Sequence, residues 1–303
     1  MLFIAGMPVL LFFIDGLGIG ARGASNPFDG LEGAAPLAVF QDEEPSLPFD
    51  GALVRTDATL GVPGRPQSAS GQTTILTGIN APMTLGYHKQ GFPNQALRDI
   101  INEHSIFLQL KRARILPNTF ANAYTPLFFQ TRPRWVSATT TAVEAAGMSF
   151  RNLDDLQAGR AVFQDYTNRM LIERGLDIAP GTHEQAATTL AALACEHRFT
   201  LYEYFITDKI GHAQDTPRAR VVLADLARLV RALLARVDLR RTTVVLTSDH
   251  GNIEDLSTRN HTLNQVPTLI WGVARELFRQ RVRSLADITP TIVEVLTEED
   301  GRA

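Results

Sequence analysis

Seven side chains of oxygen- and nitrogen-donor type stand where apolar runs give way to glycine or polar loops: Asp15, Ser68, Asp208, His212, Asp249, His250 and His261. The densest group lies in TTVVLTSDHGNIEDLSTRNHT, residues 242–262, where a β-branched run ends at Asp249 and His250, Gly251 breaks it, and His261 follows on the loop. Asp208 and His212 stand four apart in DKIGH, a spacing that reaches one ion either across a helical turn or around a folded loop. Asp15 closes an apolar run and is followed by Gly16, Gly18 and Gly20. Glycines after a strand also suit a dinucleotide-binding turn, but the G-x-G-x-x-G spacing is absent. Ser68 precedes a helix-length stretch, so its hydroxyl either caps that helix or is a nucleophile where N–H groups and the helix dipole favour a phosphate. The set contains no thiolate and offers more donors than one ion needs. It fits two divalent ions about 3.5–4 Å apart, the arrangement that clamps the attacking and leaving oxygens of a phosphoryl transfer.

Strands alternating with helices must position these residues. The run 8–14, PVLLFFI, reads as a strand buried on both faces, and further strands are expected at 201–207, 242–247 and 266–272, each releasing a polar loop at its carboxyl end. Helices are expected from Ser68 onward, at 184–195, after the Asp215-Thr216-Pro217 cap, and around 290–296. This order predicts an α/β fold with a doubly wound, mainly parallel sheet, whose ligands bind outside the strand carboxyl ends. Residues 21–66 read as a long surface excursion with a short strand near 52–56. Residues 85–180 lose the strand-and-ligand rhythm and are expected to form a small inserted cap, with helices at 95–110, 138–146 and 161–174 and a short strand at 119–123. The core is then 1–84 with 181–303. Arg112, Arg132 and Arg134 in the cap, interleaved with Phe128, Phe129 and Trp135, are candidate contacts to an anionic substrate or simply a solvated basic face.

A formal net charge of −3, from 29 basic and 32 acidic residues, lacks the basic excess that nucleic-acid binding shows. A single cysteine, Cys195, excludes an internal disulfide framework and suits a reducing compartment. The apolar N-terminus has no basic n-region, and Asp15 interrupts it well short of the roughly 20 apolar residues a membrane span needs. A soluble, cytoplasmic protein without membrane or nucleic-acid partners is expected; its oligomeric state is not legible.

Taken together, Asp15-Gly16, Ser68 ahead of Gly78, the DKIGH run 208–212, Asp249-His250-Gly251-Asn252, His261-Thr262 ahead of Val266-Pro267, and the closing LADITPTI at 285–292 resemble the alkaline phosphatase superfamily. Within it they are most similar to the metal-binding core of 2,3-bisphosphoglycerate-independent phosphoglycerate mutases. The resemblance covers about 1–80 and 185–300. It implies one metal held by Asp15, Asp249 and His250 with Ser68 as oxygen partner, and a second held by Asp208, His212 and His261, with manganese or zinc as the ions. It further implies in-line attack of Ser68 on phosphorus and a phosphoserine intermediate. The mutases place an Asn before the nucleophile and an acidic residue and a His after it, whereas Ser68 lies in Gln67-Ser68-Ala69-Ser70-Gly71-Gln72. Their large substrate-gripping domain corresponds here to fewer than about 100 residues. Hydrolysis of a small phosphorylated metabolite is therefore the leading expectation, mutase activity on phosphoglycerate the alternative, and a non-catalytic metal- or ligand-binding module the alternative from another class. A sulfatase is disfavoured because no C-x-P-x-R setting surrounds Cys195.

Overall fold

The computed structural model describes residues 7–131 and 133–298. Its centre is a six-stranded sheet of β1 (Val9–Ile14), β2 (Ala52–Thr56), β3 (Asn118–Phe120), β4 (Phe199–Tyr204), β5 (Thr243–Ser248) and β6 (Val266–Trp271), in the spatial order β2-β6-β5-β1-β4-β3. β1 pairs in parallel with both β4 and β5, and β3 in parallel with β4. β6 runs antiparallel to β5 and to β2. The parallel expectation thus holds for the three strands that carry the chemistry, β1, β4 and β5, and their neighbour β3, and fails only at β6, next to the β2 edge.

β1 is buried on both faces because every one of its residues is apolar, and strand alternation sorts them. Leu10, Phe12 and Ile14 enter one core layer with α5 (His183–Glu196) and α7 (Thr216–Leu234). Val9, Leu11 and Phe13 enter the other, against α1 (Ser68–Thr77), α3 (Ile106–Arg112), α4 (Ala138–Ala145) and α8 (Ile288–Glu298). α2 (Gln95–His104) adds Ile101 to that second layer. The helix carrying the DKIGH run, α6 (Ile206–Ala213), follows β4 directly. Cys195 lies on α5, half-buried.

Several expectations change here. β4 ends at Tyr204 rather than at residue 207, because Ile206 already opens α6. The helix expected at 161–174 is reduced to Arg169–Glu173, since Val162 is drawn into a β-bridge with Asn122. The excursion 21–66 is pinned rather than loose: it buries Phe28, Leu37 and Val39 in the core, and Arg220 of α7 donates to the Pro27, Asp29 and Gly30 carbonyls. Residues 85–180 are not wholly an overhang, because β3 extends the central sheet and α2, α3 and α4 fill its second core layer. The portion beyond β3, with its small parallel pair Ala123–Tyr124 and Arg151–Asn152, leans over the carboxyl ends of β1 and β4. Among the described residues no helix is long and apolar enough to cross a membrane.

Candidate metal centre

The sheet order brings three strand ends together. β1 delivers Asp15, β5 delivers Asp249 and His250, and α6, launched from the end of β4, presents Asp208 and His212 one helical turn apart. His261 returns on the loop after β5, held by an antiparallel bridge between Gly251 and Thr262. Two glycines permit the convergence. A side chain at Gly16, which has φ +74°, would meet the Asp208 backbone at 2.9 Å, and one on Gly71 of α1 would meet the Asp249 carbonyl oxygen at 2.9 Å. α1 therefore docks its first turns directly on the β5 loop.

Two groups of ligand atoms result. Asp208, His212 and His261 form one, with His212 Nε2 3.4 Å from Asp208 Oδ2 and His261 Nε2 3.5 Å from Asp208 Oδ1. Asp15, Asp208 and His250 form the other, with His250 Nε2 3.2 Å from Asp15 Oδ1. Asp208, expected in one group, faces both. Asp249 Oδ2 lies 3.5 Å from His250 Nε2, and Gln72 Nε2 donates to Asp15 Oδ2 at 3.2 Å and to Asp249 Oδ2 at 3.1 Å. Ser68 Oγ is 3.0 Å from His250 Nε2. The helix-capping alternative for Ser68 fails, because Gln67 is the N-cap residue and Ser68 is already inside the first turn.

The hydrogen bonds behind the histidines set what their ligand atoms offer. His212 Nδ1 donates to the Arg259 carbonyl at 2.7 Å and His261 Nδ1 to the Pro66 carbonyl at 2.9 Å. A carbonyl oxygen only accepts, so each Nδ1 carries hydrogen, and in its neutral form each ring turns an Nε2 lone pair toward the other, 3.2 Å apart. The His250 and His261 rings stack at 3.6 Å between centroids. Carboxylates crowd the same space. Burial, with Asp208 nearby, pushes the Asp15 carboxyl well above its ordinary range. Burial, with Asp15 nearby, pushes Asp249 up to about 7. For Asp208 burial acts upward too, but the His261 bond and the charges of His250 and His212 outweigh it and hold the group down at about 2. Asp15 Oδ1 is buried without a hydrogen-bond partner. Facing lone pairs, buried like charges and an orphaned carboxylate oxygen are all relieved by cations, so the donor set fits divalent metal ions.

Three residues that donor-type reasoning passed over complete the site. Gln72 is one turn after Ser68, the spacing that places both on one helix face. Glu254 accepts from the Gly18 and Asn252 backbone N–H groups at 2.9 and 2.7 Å and from Asn264 Nδ2 at 3.0 Å, tying the β1 and β5 loops together. Asn252 Nδ2 donates to Asp208 Oδ1 at 2.7 Å. Of the expected substrate contacts, Arg112 bonds the Glu103 carbonyl at 2.8 Å and does not line the cavity beside Ser68. Arg134 packs over Trp135, 5.2 Å from the ring centre, and does not line it either. Arg132 lies outside the described residues.

Residues 159–299 match the Metalloenzyme superfamily. The chain is 36% identical over 106 residues to the 2,3-bisphosphoglycerate-independent phosphoglycerate mutase of Desulforudis audaxviator, covering 32% of this chain and 20% of that protein. It is 32% identical over 139 residues to the corresponding mutase of Microcystis aeruginosa, covering 40% and 26%. The matched segments thus span about a quarter or less of these relatives' length. In fold the chain is similar to the PH0037 protein from Pyrococcus horikoshii, at TM-score 0.56 and 12% identity over 97% of this chain and 98% of that one. It is also similar to a cold-active alkaline phosphatase from Shewanella sp., at TM-score 0.51 and 11% identity over 96% of this chain and 100% of that one. The match of residues 159–299 to the Metalloenzyme superfamily, the partial likeness to the mutases and the alkaline-phosphatase-like α/β fold together support a metalloenzyme of the alkaline phosphatase superfamily.

Proposed function

We propose that the protein transfers phosphoryl groups from a small phosphorylated substrate through a phosphoserine at Ser68, with water as the usual final acceptor. The observation that carries this reading is the half-buried Ser68 hydroxyl, 3.0 Å from His250 Nε2 at the junction of a metal-type donor set and an open cavity. Asp15, Asp249 and His250 with Ser68 would hold one divalent ion, manganese or zinc, and Asp208, His212 and His261 the other, with Asp208 close enough to serve both. Bound, the ions would supply positive charge that acidifies the serine hydroxyl and offsets charge on the phosphoryl oxygens. Gln72 holds Asp15 and Asp249 apart and oriented. The amino-terminal end of α1, with its partial positive charge, favours the incoming phosphoryl group. Ser68 Oγ forms the bond to phosphorus as the alcohol oxygen leaves and takes up a proton, and hydrolysis of the phosphoserine frees phosphate. The portion of the chain beyond β3 acts as the cap over the cavity.

Ser68→Ala tests the nucleophile. Manganese- or zinc-loaded protein is expected to release phosphate from a phosphomonoester panel, and the variant to lose that turnover by roughly three orders of magnitude or more while keeping its metal. Equal turnover in both proteins rejects Ser68. Phosphoglycerate mutase activity is the second reading, favoured by the sequence relatives. Interconversion of 2- and 3-phosphoglycerate without phosphate release by the loaded protein would select it. Metal binding with no turnover of any phosphoester would select a non-catalytic module.

A further inference from the structure

We infer that the substrate of this site is the phosphomonoester of an alcohol bearing an aromatic ring, and that the ring is held by an aromatic wall to which the cap and the core both contribute. The inference rests on the phosphoryl-transfer reading above. The cavity that opens from Ser68, Asp15 and Gln72 has a volume of about 510 Å³, far more than a phosphoryl group fills. Beyond those three residues its wall includes the rings of Phe92, Phe120, Phe128, Trp135, Phe163 and Phe205. Tyr124, also in the wall, is locked at the centre, with its ring 4.6 Å from Phe128 at 76° and its hydroxyl 2.7 Å from Thr140 Oγ1. Phe92 and Trp135 are about half exposed, at 51% and 47%, although they border a polar catalytic site. Solvent-facing rings at the mouth of a cavity are poorly placed for packing the fold and well placed for stacking on a ligand.

Charge argues the same way. Among the described residues lining the cavity the one cation is Arg174, which is exposed, while Asp15 and the fully buried Glu203 are acids. A substrate carrying a second anionic group, such as the carboxylate of a phosphoglycerate, would find no buried cation among the described lining residues to pair with. An uncharged flat ring matches both the wall and the charge. Offset and edge-on contacts between rings favour an aromatic body over a linear alkyl chain of equal area.

The comparison that isolates the ring is 2-phenylethyl phosphate against ethyl phosphate, since both leave as primary alkoxides. With metal-loaded protein, kcat/KM is expected to favour the phenylethyl ester by about 30-fold or more, and Phe128→Ala and Trp135→Ala each to cut that ratio several-fold. Titration with non-hydrolysable 2-phenylethylphosphonate should quench Trp135 fluorescence, a change lost in Trp135→Ala. Equal kcat/KM for the two esters, or a preference for decyl phosphate over the phenylethyl ester, would overturn the inference and leave phosphoryl transfer standing. Phosphonate binding at Trp135 with no turnover of either ester would instead overturn phosphoryl transfer and keep the aromatic pocket.

Discussion

At the scale of single residues, the histidines owe their ligand character to their outer nitrogens. His212 and His261 are each pinned through Nδ1 to a backbone carbonyl, which turns their Nε2 atoms inward. Gln72 does comparable work for the carboxylates by donating to Asp15 and Asp249 from one amide nitrogen. Gln72→Ala should lower metal affinity by about 10–100-fold. Titration calorimetry with manganese, beside a circular dichroism spectrum showing an intact fold, checks this, and unchanged affinity would remove Gln72 from the site. Glu203 gives a pH prediction. Burial, with Asp15 and Asp249 nearby, raises its carboxyl well above the ordinary value, and Thr139 donates to it. A raised folded pKa means the native state holds the proton longer than the unfolded chain. Its stabilisation is therefore complete below the unfolded value of 4.5 and is lost progressively as pH rises from there. Glu203→Gln should flatten that decline, with a melting temperature gaining on the wild type between pH 5 and 8; parallel melting curves across that range would refute the assignment.

At the scale of elements, the site depends on how closely α1 approaches the β5 loop. Gly71 has no room for a methyl group, because Asp249's carbonyl oxygen would stand 2.9 Å away and backbone cannot swing aside. Gly71→Ala should cost about 1–3 kcal/mol, read as a lowered melting temperature, and should depress turnover because Ser68 and Gln72 both ride on α1. A variant as stable and as active as the wild type would mean that α1 tolerates a displaced docking. α6 works by a different device: helical periodicity alone places Asp208 and His212 together, and the immediate β4-to-α6 junction places that pair beside Asp15.

At the scale of the whole molecule, ligand groups from β1, α6 and the β5 loop meet at one point, so ions bound there tie together elements far apart in the chain. Ligand binding to the native state alone adds about 2.7 kcal/mol at a hundred times the dissociation constant. Chelation should accordingly lower the melting temperature by several degrees, with recovery on adding manganese or zinc. A melting temperature indifferent to chelator would argue that the cluster does not hold metal. The same assembly opens onto the aromatic cavity, whose wall combines Phe92, Phe120 and Phe205 with rings from the chain beyond β3.

The sequence by itself determined the fold class and marked the residues that the fold gathers into candidate ligand groups. The run 8–14 is apolar without interruption, as a strand buried on both faces requires, and Asp15 follows it at once, while Asp208 and the Asp249-His250 pair follow the β-rich runs 201–207 and 242–248. Strand order was invisible, because hydrophobic pattern reports which faces are buried and not which strands are neighbours. Only the tertiary structure placed β1 between β4 and β5 and so put Asp208 within reach of both ligand groups. It also decided the fate of the basic residues. Charge in a sequence does not say which way a side chain points, and Arg112 and Arg134 settled on a carbonyl and an indole while the rings between them turned to the cavity. Gln72 and Glu254 escaped notice for a related reason: their roles are hydrogen bonds to groups distant in sequence, and nothing local in residue type marks such a bond.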